Sequence, residues 1–139
     1  MKLFLDANVL FTAAHNPRGK AALVIELGRQ GHWELYSSAY AMEEARRNLA
    51  WKFPEPIGVL RTLARTVDLV DRVPGGPSPP GLPQKDQPIF QAAVACKATH
   101  LLTGDLKDFG PLMNRPEETS GIRVQTVSDF LTGLGSPLE

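Results

Sequence analysis

Four acidic residues, Asp6, Glu44, Asp86 and Asp105, are far apart along the chain but stand where one binding crevice could collect them. Carboxylates brought together in this way repel one another strongly unless a cation lies between them. An all-oxygen set suits Mg²⁺ or Mn²⁺, which prefer carboxylate and water ligands. A metal so held could activate water and neutralise a phosphodiester during in-line displacement, with two ions about 3.5–4 Å apart if both sites fill. That chemistry needs no nucleophilic side chain. Accordingly, the sequence has no Gly-x-Ser-x-Gly elbow, and its lone cysteine, Cys96, lies in an apolar pattern read as a buried thiol in a helix. Cys96, His15, His32 and His100 also lack the paired spacing of a zinc site. Asp108 follows Asp105 by three residues and is a further ligand candidate, so the expected metal set is Asp6, Asp86, Asp105 and Asp108.

Each acid alone also has an ordinary structural explanation. Asp86 and Asp105 could cap helices, Asp6 could form a turn, and Glu44 could pair with Arg46 or Arg47 on an exposed helix face. Their joint placement at crevice positions is what points to chemistry. Asn8 is expected to orient Asp6 or the substrate, and Thr103 to hydrogen-bond a carboxylate or a metal-bound water. Lys85 and Lys107 flank two of the acids, as phosphate contacts or as solvated lysines. His15 and His100 are read as structural, and Trp33 and Trp51 as core or interface residues rather than platforms for bases.

The elements that must position these residues alternate between strands and helices. Lys2-Leu3-Phe4-Leu5 is a short apolar run ending at Asp6 and suits a buried strand. Helical turns follow from Asn8, broken at Asn16-Pro17, and a second helix spans Gly19 to Arg29. Trp33 to Ser37 alternates as a second strand, with Ser38 as N-cap of a helix whose inner face holds Ala41, Ala45, Leu49 and, near it, Trp51. A further helix from Ile57 to Arg65 would turn Val59, Leu60, Leu63 and Ala64 inward. Val67 to Val70 is a third strand, and Thr99 to Thr103 a fourth, preceded by a helix from the Asp86 region to about Ala98. A short helical segment at Leu106 to Phe109, a fifth strand at Gly121 to Thr126 and a terminal helix from Ser128 complete the chain. Such alternation implies βαβ crossovers and a mostly parallel five-stranded sheet covered on both faces, a three-layer α/β/α sandwich. In a sheet of that kind the ligand crevice lies at the carboxyl ends of the strands, where Asp6 and Asp105 fall.

Positions 74–83 hold five prolines and three glycines, which can continue neither a helix nor a ladder; we read a surface connection inside one domain, 1–139. Its size allows one sizeable core. Fifteen basic and fifteen acidic residues cancel, which argues against retention on nucleic acid by a bulk positive field. If metal neutralises the clustered acids, the remaining surface is basic on balance, with Arg46, Arg47, Lys52, Arg61 and Arg65 in the middle of the chain. No apolar run is long enough to span a bilayer, and no signal peptide is expected; with a single cysteine, the cytoplasm is the expected compartment.

Leu5-Asp6-Ala7-Asn8-Val9-Leu10, Glu44-Ala45-Arg46-Arg47-Asn48-Leu49, Asp86 to Ala93 and Leu101-Leu102-Thr103-Gly104-Asp105-Leu106-Lys107-Asp108-Phe109 together resemble the PIN-domain family in order and spacing. The likeness covers nearly the whole chain. In the middle stretch Glu44 is the matching acid rather than Glu43, because Ala45 and Leu49 follow it in the family's pattern. The resemblance implies a parallel-sheet domain with a Mg²⁺- or Mn²⁺-dependent acidic site that cuts single-stranded or structured RNA. It also implies kinship with VapC-like toxins, commonly homodimeric and inhibited by an antitoxin. The Pro/Gly-rich 74–83 loop and the long middle helices depart from the compact toxin. A non-catalytic PIN-like module that binds RNA or protein is the competing reading. A phosphotransfer domain ranks lower, because Asp6-Ala7-Asn8 lacks a second aspartate. A dinucleotide fold ranks lower still, for want of a glycine-rich turn after the first strand.

Overall fold

The computed structural model describes residues 1–70 and 75–134; Pro74, the first residue of the expected loop, lies outside them. Its centre is β1 (Lys2–Leu5), in which Leu3, Phe4 and Leu5 are fully buried, as a strand covered on both faces requires. The other strands are β2 (Glu34–Ser38), β3 (Asp68–Val70), β4 (His100–Leu102) and β5 (Arg123–Gln125), all parallel, in the order β3-β2-β1-β4-β5. Among the described residues the helices are α1 (Ala7–His15), α2 (Lys20–Arg29), α3 (Ala39–Lys52), α4 (Ile57–Ala64), α5 (Gln87–Ala95) and α6 (Val127–Leu134). They cover the sheet to give the expected three-layer α/β/α arrangement.

The order of the strands places the crevice. From β1 the chain steps outward to β2 and β3, then returns to the other side of β1 for β4 and β5. The reversal falls between β1 and β4, whose pairing runs from Leu3 with His100 to Leu5 with Leu102. Loops leaving the carboxyl ends of these two neighbours diverge and leave room for a ligand. One loop begins with Asp6 and the other with Thr103-Gly104-Asp105.

Local sequence explains the principal boundaries. Asp6 and Ser38 cap α1 and α3, accepting from the Ala7 and Ala41 amides at 2.7 and 3.1 Å. Trp33 is buried beneath α2 and donates its indole N–H to the Val24 carbonyl at 3.0 Å. The proline-rich connection is tied to α5, since Gln91 and Gln87 donate to the carbonyls of Gly76 and Leu82. No helix among the described residues is long and apolar enough to cross a membrane.

Several expectations fail for identifiable reasons. Trp51 is 81% exposed, because the buried stripe of α3 consists of Ala41, Ala45 and Leu49, and Trp51 lies off that stripe. Only Leu60 is fully buried on α4; Val59 is exposed, and Leu63 is only partly covered. Cys96 is half-buried at the C-cap of α5 rather than inside it, because the helix stops at Ala95. The segment after Asp105 is a hydrogen-bonded turn running into a 3-10 turn at Gly110–Leu112, not a helix.

Candidate active site

Asp6 leaves β1 at the switch point and is almost fully buried. Its Oδ1 accepts from the Ala7 amide, while Oδ2 accepts from the Thr103 hydroxyl at 2.8 Å and from Asn8 Nδ2 at 3.3 Å. Thr103, with no exposed surface, is a junction between β1 and β4: its Oγ1 also accepts from the Asp105 amide at 3.1 Å and from Asn8 Nδ2 at 3.2 Å. Asn8 Oδ1 completes the ring by accepting from the Gly104 amide at 2.7 Å. Asn8 and Thr103 therefore hold Asp6 and the Asp105 loop in one hydrogen-bonded unit. Burial dominates the ionisation of Asp6 and pushes its carboxyl up to about 6, against the lowering effect of the Thr103 and Ala7 donors. The charges of Glu44 and Asp105 push it in the same direction as burial.

Asp86, Asp105 and Asp108 form the tighter cluster, each offering a carboxylate oxygen within 4.8 Å of the other two. Asp86 ends the 3-10 turn Gln84–Asp86 and precedes α5, but its side chain makes no capping hydrogen bond. It is 8% exposed, and its Oδ2 is buried without a donor. Burial, and then the facing Asp108 carboxyl, push the pKa of Asp86 up, with Lys85 opposing; contacts with Asp86 and Lys85 hold that of Asp108 below its ordinary value. Asp105 Oδ1 accepts from the Asp108 amide at 3.0 Å, so the turn between them sets both side chains. An unpaired buried carboxylate is costly, and an oxygen-only set of three fits a hard divalent cation. These three residues could hold a metal ion.

Asp6 lies outside that trio but within reach of its field. Glu44, half-buried on the second turn of α3, acts through its charge on Asp6 and Tyr40. Its neighbour Glu43 is exposed and committed to Arg46 by a forked pair at 2.6 and 2.8 Å. The structure thus joins Asp86, Asp105 and Asp108 directly, sets Asp6 within the field of Glu44 and Asp105, and commits Glu43 to Arg46. Beside Asn8 and Gly104 lies a cavity of about 340 Å³, also lined by Thr12, Lys20, Thr126 and Ser128.

Tyr40 was not singled out in the sequence. Its hydroxyl donates to the Lys85 carbonyl at 2.7 Å and so ties the start of α3 to the turn that carries Asp86. The available signal was its position one helical turn before Glu44. The two flanking lysines prove unequal: Lys85 pairs with Asp108 at 3.1 Å, whereas Lys107 is exposed and in no ion pair among the described residues. His15 stacks on Phe53 with ring centroids 4.0 Å apart.

No protein-family model and no curated protein matches the sequence. Solved structures do match. A chain of VapBC2 from Rickettsia felis, in a complex bound to a DNA fragment from their promoter, superposes with a TM-score of 0.62 at 14% identity, over 91% of this chain and 98% of the other. A chain of VapBC-1 from nontypeable Haemophilus influenzae gives 0.58 at 15% identity, over 92% and 99%. At such identities the likeness is one of architecture, and over nearly its whole length this chain has the PIN-like α/β fold of the matched VapBC chains.

Proposed function

We propose that the chain is a Mg²⁺- or Mn²⁺-dependent endoribonuclease, and the toxin of a toxin–antitoxin pair. The observation that carries the nuclease reading is the buried, donor-less Oδ2 of Asp86 beside Asp105 and Asp108, at the sheet's switch point. A donor-less carboxylate in that position costs stability unless something positive occupies the crevice. Asp86, Asp105 and Asp108 would hold the cation, with Asp6 behind them. When bound, the cation supplies Lewis-acid stabilisation of the phosphodiester and lowers the pKa of a water. Asp6, pinned by Thr103 and Asn8, keeps the cluster in register and adds negative charge to it. Glu44, whose charge is felt by Asp6, would orient an attacking water or accept its proton. Lys85 can exchange its pairing with Asp108 for a substrate phosphate.

The toxin assignment draws on the matched chains, which come from VapBC complexes. On that analogy the partner of this chain is an antitoxin, the active form is a homodimer and the setting is the cytoplasm.

The decisive experiment pairs isothermal titration of Mn²⁺ with RNA cleavage for the wild type, Asp86→Asn and Asp105→Asn. We expect a Mn²⁺ site in the wild type, its loss in both variants, and no cleavage by either variant despite a wild-type circular dichroism spectrum. Undiminished cleavage by both variants would remove the assigned roles. A wild type that binds RNA but neither takes up metal nor cuts the strand would identify the non-catalytic module instead.

A further inference from the structure

At the far ends of α1 and α3 lies a set of rings of which Phe11 packs partly against the core, while His15, Trp51 and Phe53 are exposed. Trp51 is 81% exposed and Phe53 42% exposed; His15 is exposed as well. The rings nonetheless form an ordered series. His15 stacks on Phe53 with an interplanar angle of 21°, Phe11 lies 6.2 Å from Phe53, and Lys52 Nζ sits 5.7 Å from the Trp51 ring centroid and 6.0 Å from that of Phe11. A tryptophan this exposed adds almost nothing to the core, and contiguous exposed apolar surface on a soluble domain marks an interaction site.

The position of this surface relative to the acids favours a nucleic-acid occupant. α1 starts at Asp6 and carries Phe11 and His15 on its later turns; α3 carries Glu44 and ends at Trp51 and Lys52. At 1.5 Å per residue the rings stand about 8 to 14 Å along the two helices from Asp6 and Glu44, a distance a few nucleotides of single strand can cover. The cations present, Lys52 and Arg47, are in no ion pair among the described residues and are available to phosphates. Exposed π faces interleaved with unpaired cations are what an unstacked strand requires. A duplex, whose bases are already stacked, gains nothing from them.

We infer that Phe11, His15, Trp51, Lys52 and Phe53 form a stacking platform for the bases of single-stranded RNA flanking the phosphate held at the acid cluster. The inference rests on the ribonuclease reading for its ligand, and strand binding without metal separates the failure of one from the failure of the other. Trp33 is buried, so the emission that an added strand quenches belongs to Trp51. A labelled single strand of roughly a dozen nucleotides, within the range of site sizes for stacking platforms, is titrated in EDTA, where no metal-dependent cut occurs. We expect quenching by the single strand and not by a duplex of the same sequence. Trp51→Ala should weaken binding about tenfold, while Trp51→Phe should stay within about threefold of the wild type, because the π face is retained. Lys52→Gln should reduce the salt slope by about one phosphate contact. Wild-type affinity in Trp51→Ala, alongside metal-dependent cleavage by the wild type, overturns the platform and leaves the nuclease standing. Failure of metal binding and cleavage in the wild type overturns the nuclease reading, whatever Trp51 does. If Trp51→Ala instead converts a dimer to a monomer on sedimentation with RNA binding unchanged, the surface is a protein interface and the platform is wrong.

Discussion

Asp6 carries two duties that pull against each other. As the cap of α1 and the acceptor for Thr103 it must stay where it is, yet burial makes its charge expensive and raises its pKa to about 6 from a usual 3.8. The folded protein therefore keeps a proton that the unfolded chain has released, so stability falls as pH rises from about 4 through 6. A displacement of that size bounds the effect at about 3 kcal/mol. In chelated buffer the melting temperature should drop between pH 4 and pH 7, with Asp86, whose pKa burial pushes up to about 7, adding to the fall, and Asp6→Asn should reduce that slope without abolishing it; a wild-type melting temperature independent of pH would refute the account. Adjacent residues also part company at this scale. Glu44→Gln should lower Mn²⁺-dependent cleavage by roughly a hundredfold if Glu44 handles the proton of the attacking water. Glu43→Gln, which breaks only an exposed pair with Arg46, should leave cleavage unchanged. Equal losses in a side-by-side rate assay would return the choice between them to open. The sequence could nominate both glutamates, and the family pattern favoured Glu44. Residues one apart on a helix point about 100° apart, so only the packing of α3 against α1 decides which of them meets the crevice.

At the scale of elements, the site is a junction between strand ends. Thr103, at the end of β4, donates to Asp6 and accepts from the Asp105 amide, so one hydroxyl fixes the separation of the two acid-bearing loops. Thr103→Val keeps the shape but leaves buried polar groups unpaired, which should cost about 1–3 kcal/mol of unfolding free energy in a denaturant titration and impair metal binding along with it. A variant as stable as the wild type would mean that the loops hold themselves. The helix above β2 carries a complementary test. A Cβ placed on Gly28 of α2 would lie 2.5 Å from Leu35 Cγ, in a region that is already buried. Alanine improves helix propensity by about 1 kcal/mol, but overpacking costs about 1–3 kcal/mol. The clash should win, and Gly28→Ala should lower the melting temperature; a rise would show that α2 can lift away from β2. These close approaches were invisible in the sequence, where Gly28 reads only as the end of a helix.

For the whole molecule, the acid cluster makes stability depend on what is bound. A cation that binds only the folded state adds about 2.7 kcal/mol at a hundred times its dissociation constant, a rise of several degrees in melting temperature. Mn²⁺ should produce that rise in the wild type and not in Asp105→Asn, with EDTA reversing it; equal shifts in both would place the ion elsewhere. The sequence by itself determined the order of the elements, because apolar residues recur at the period of a strand or a helix whatever they later pack against. It also determined that Asp6 and Asp105 follow the carboxyl ends of strands, Asp105 three residues past the end of β4, and therefore that a parallel sheet would bring them to one edge. Pairing between elements decided the rest: that Asp86, Asp105 and Asp108 form the tight trio with Asp6 outside it, that Tyr40 ties α3 to the Lys85 turn, and that Trp51 faces solvent. A residue's own periodicity fixes its face within an element, but whether that face meets a neighbour, a charge or water is set by contacts between segments distant in the chain. Only the folded arrangement brings those segments together.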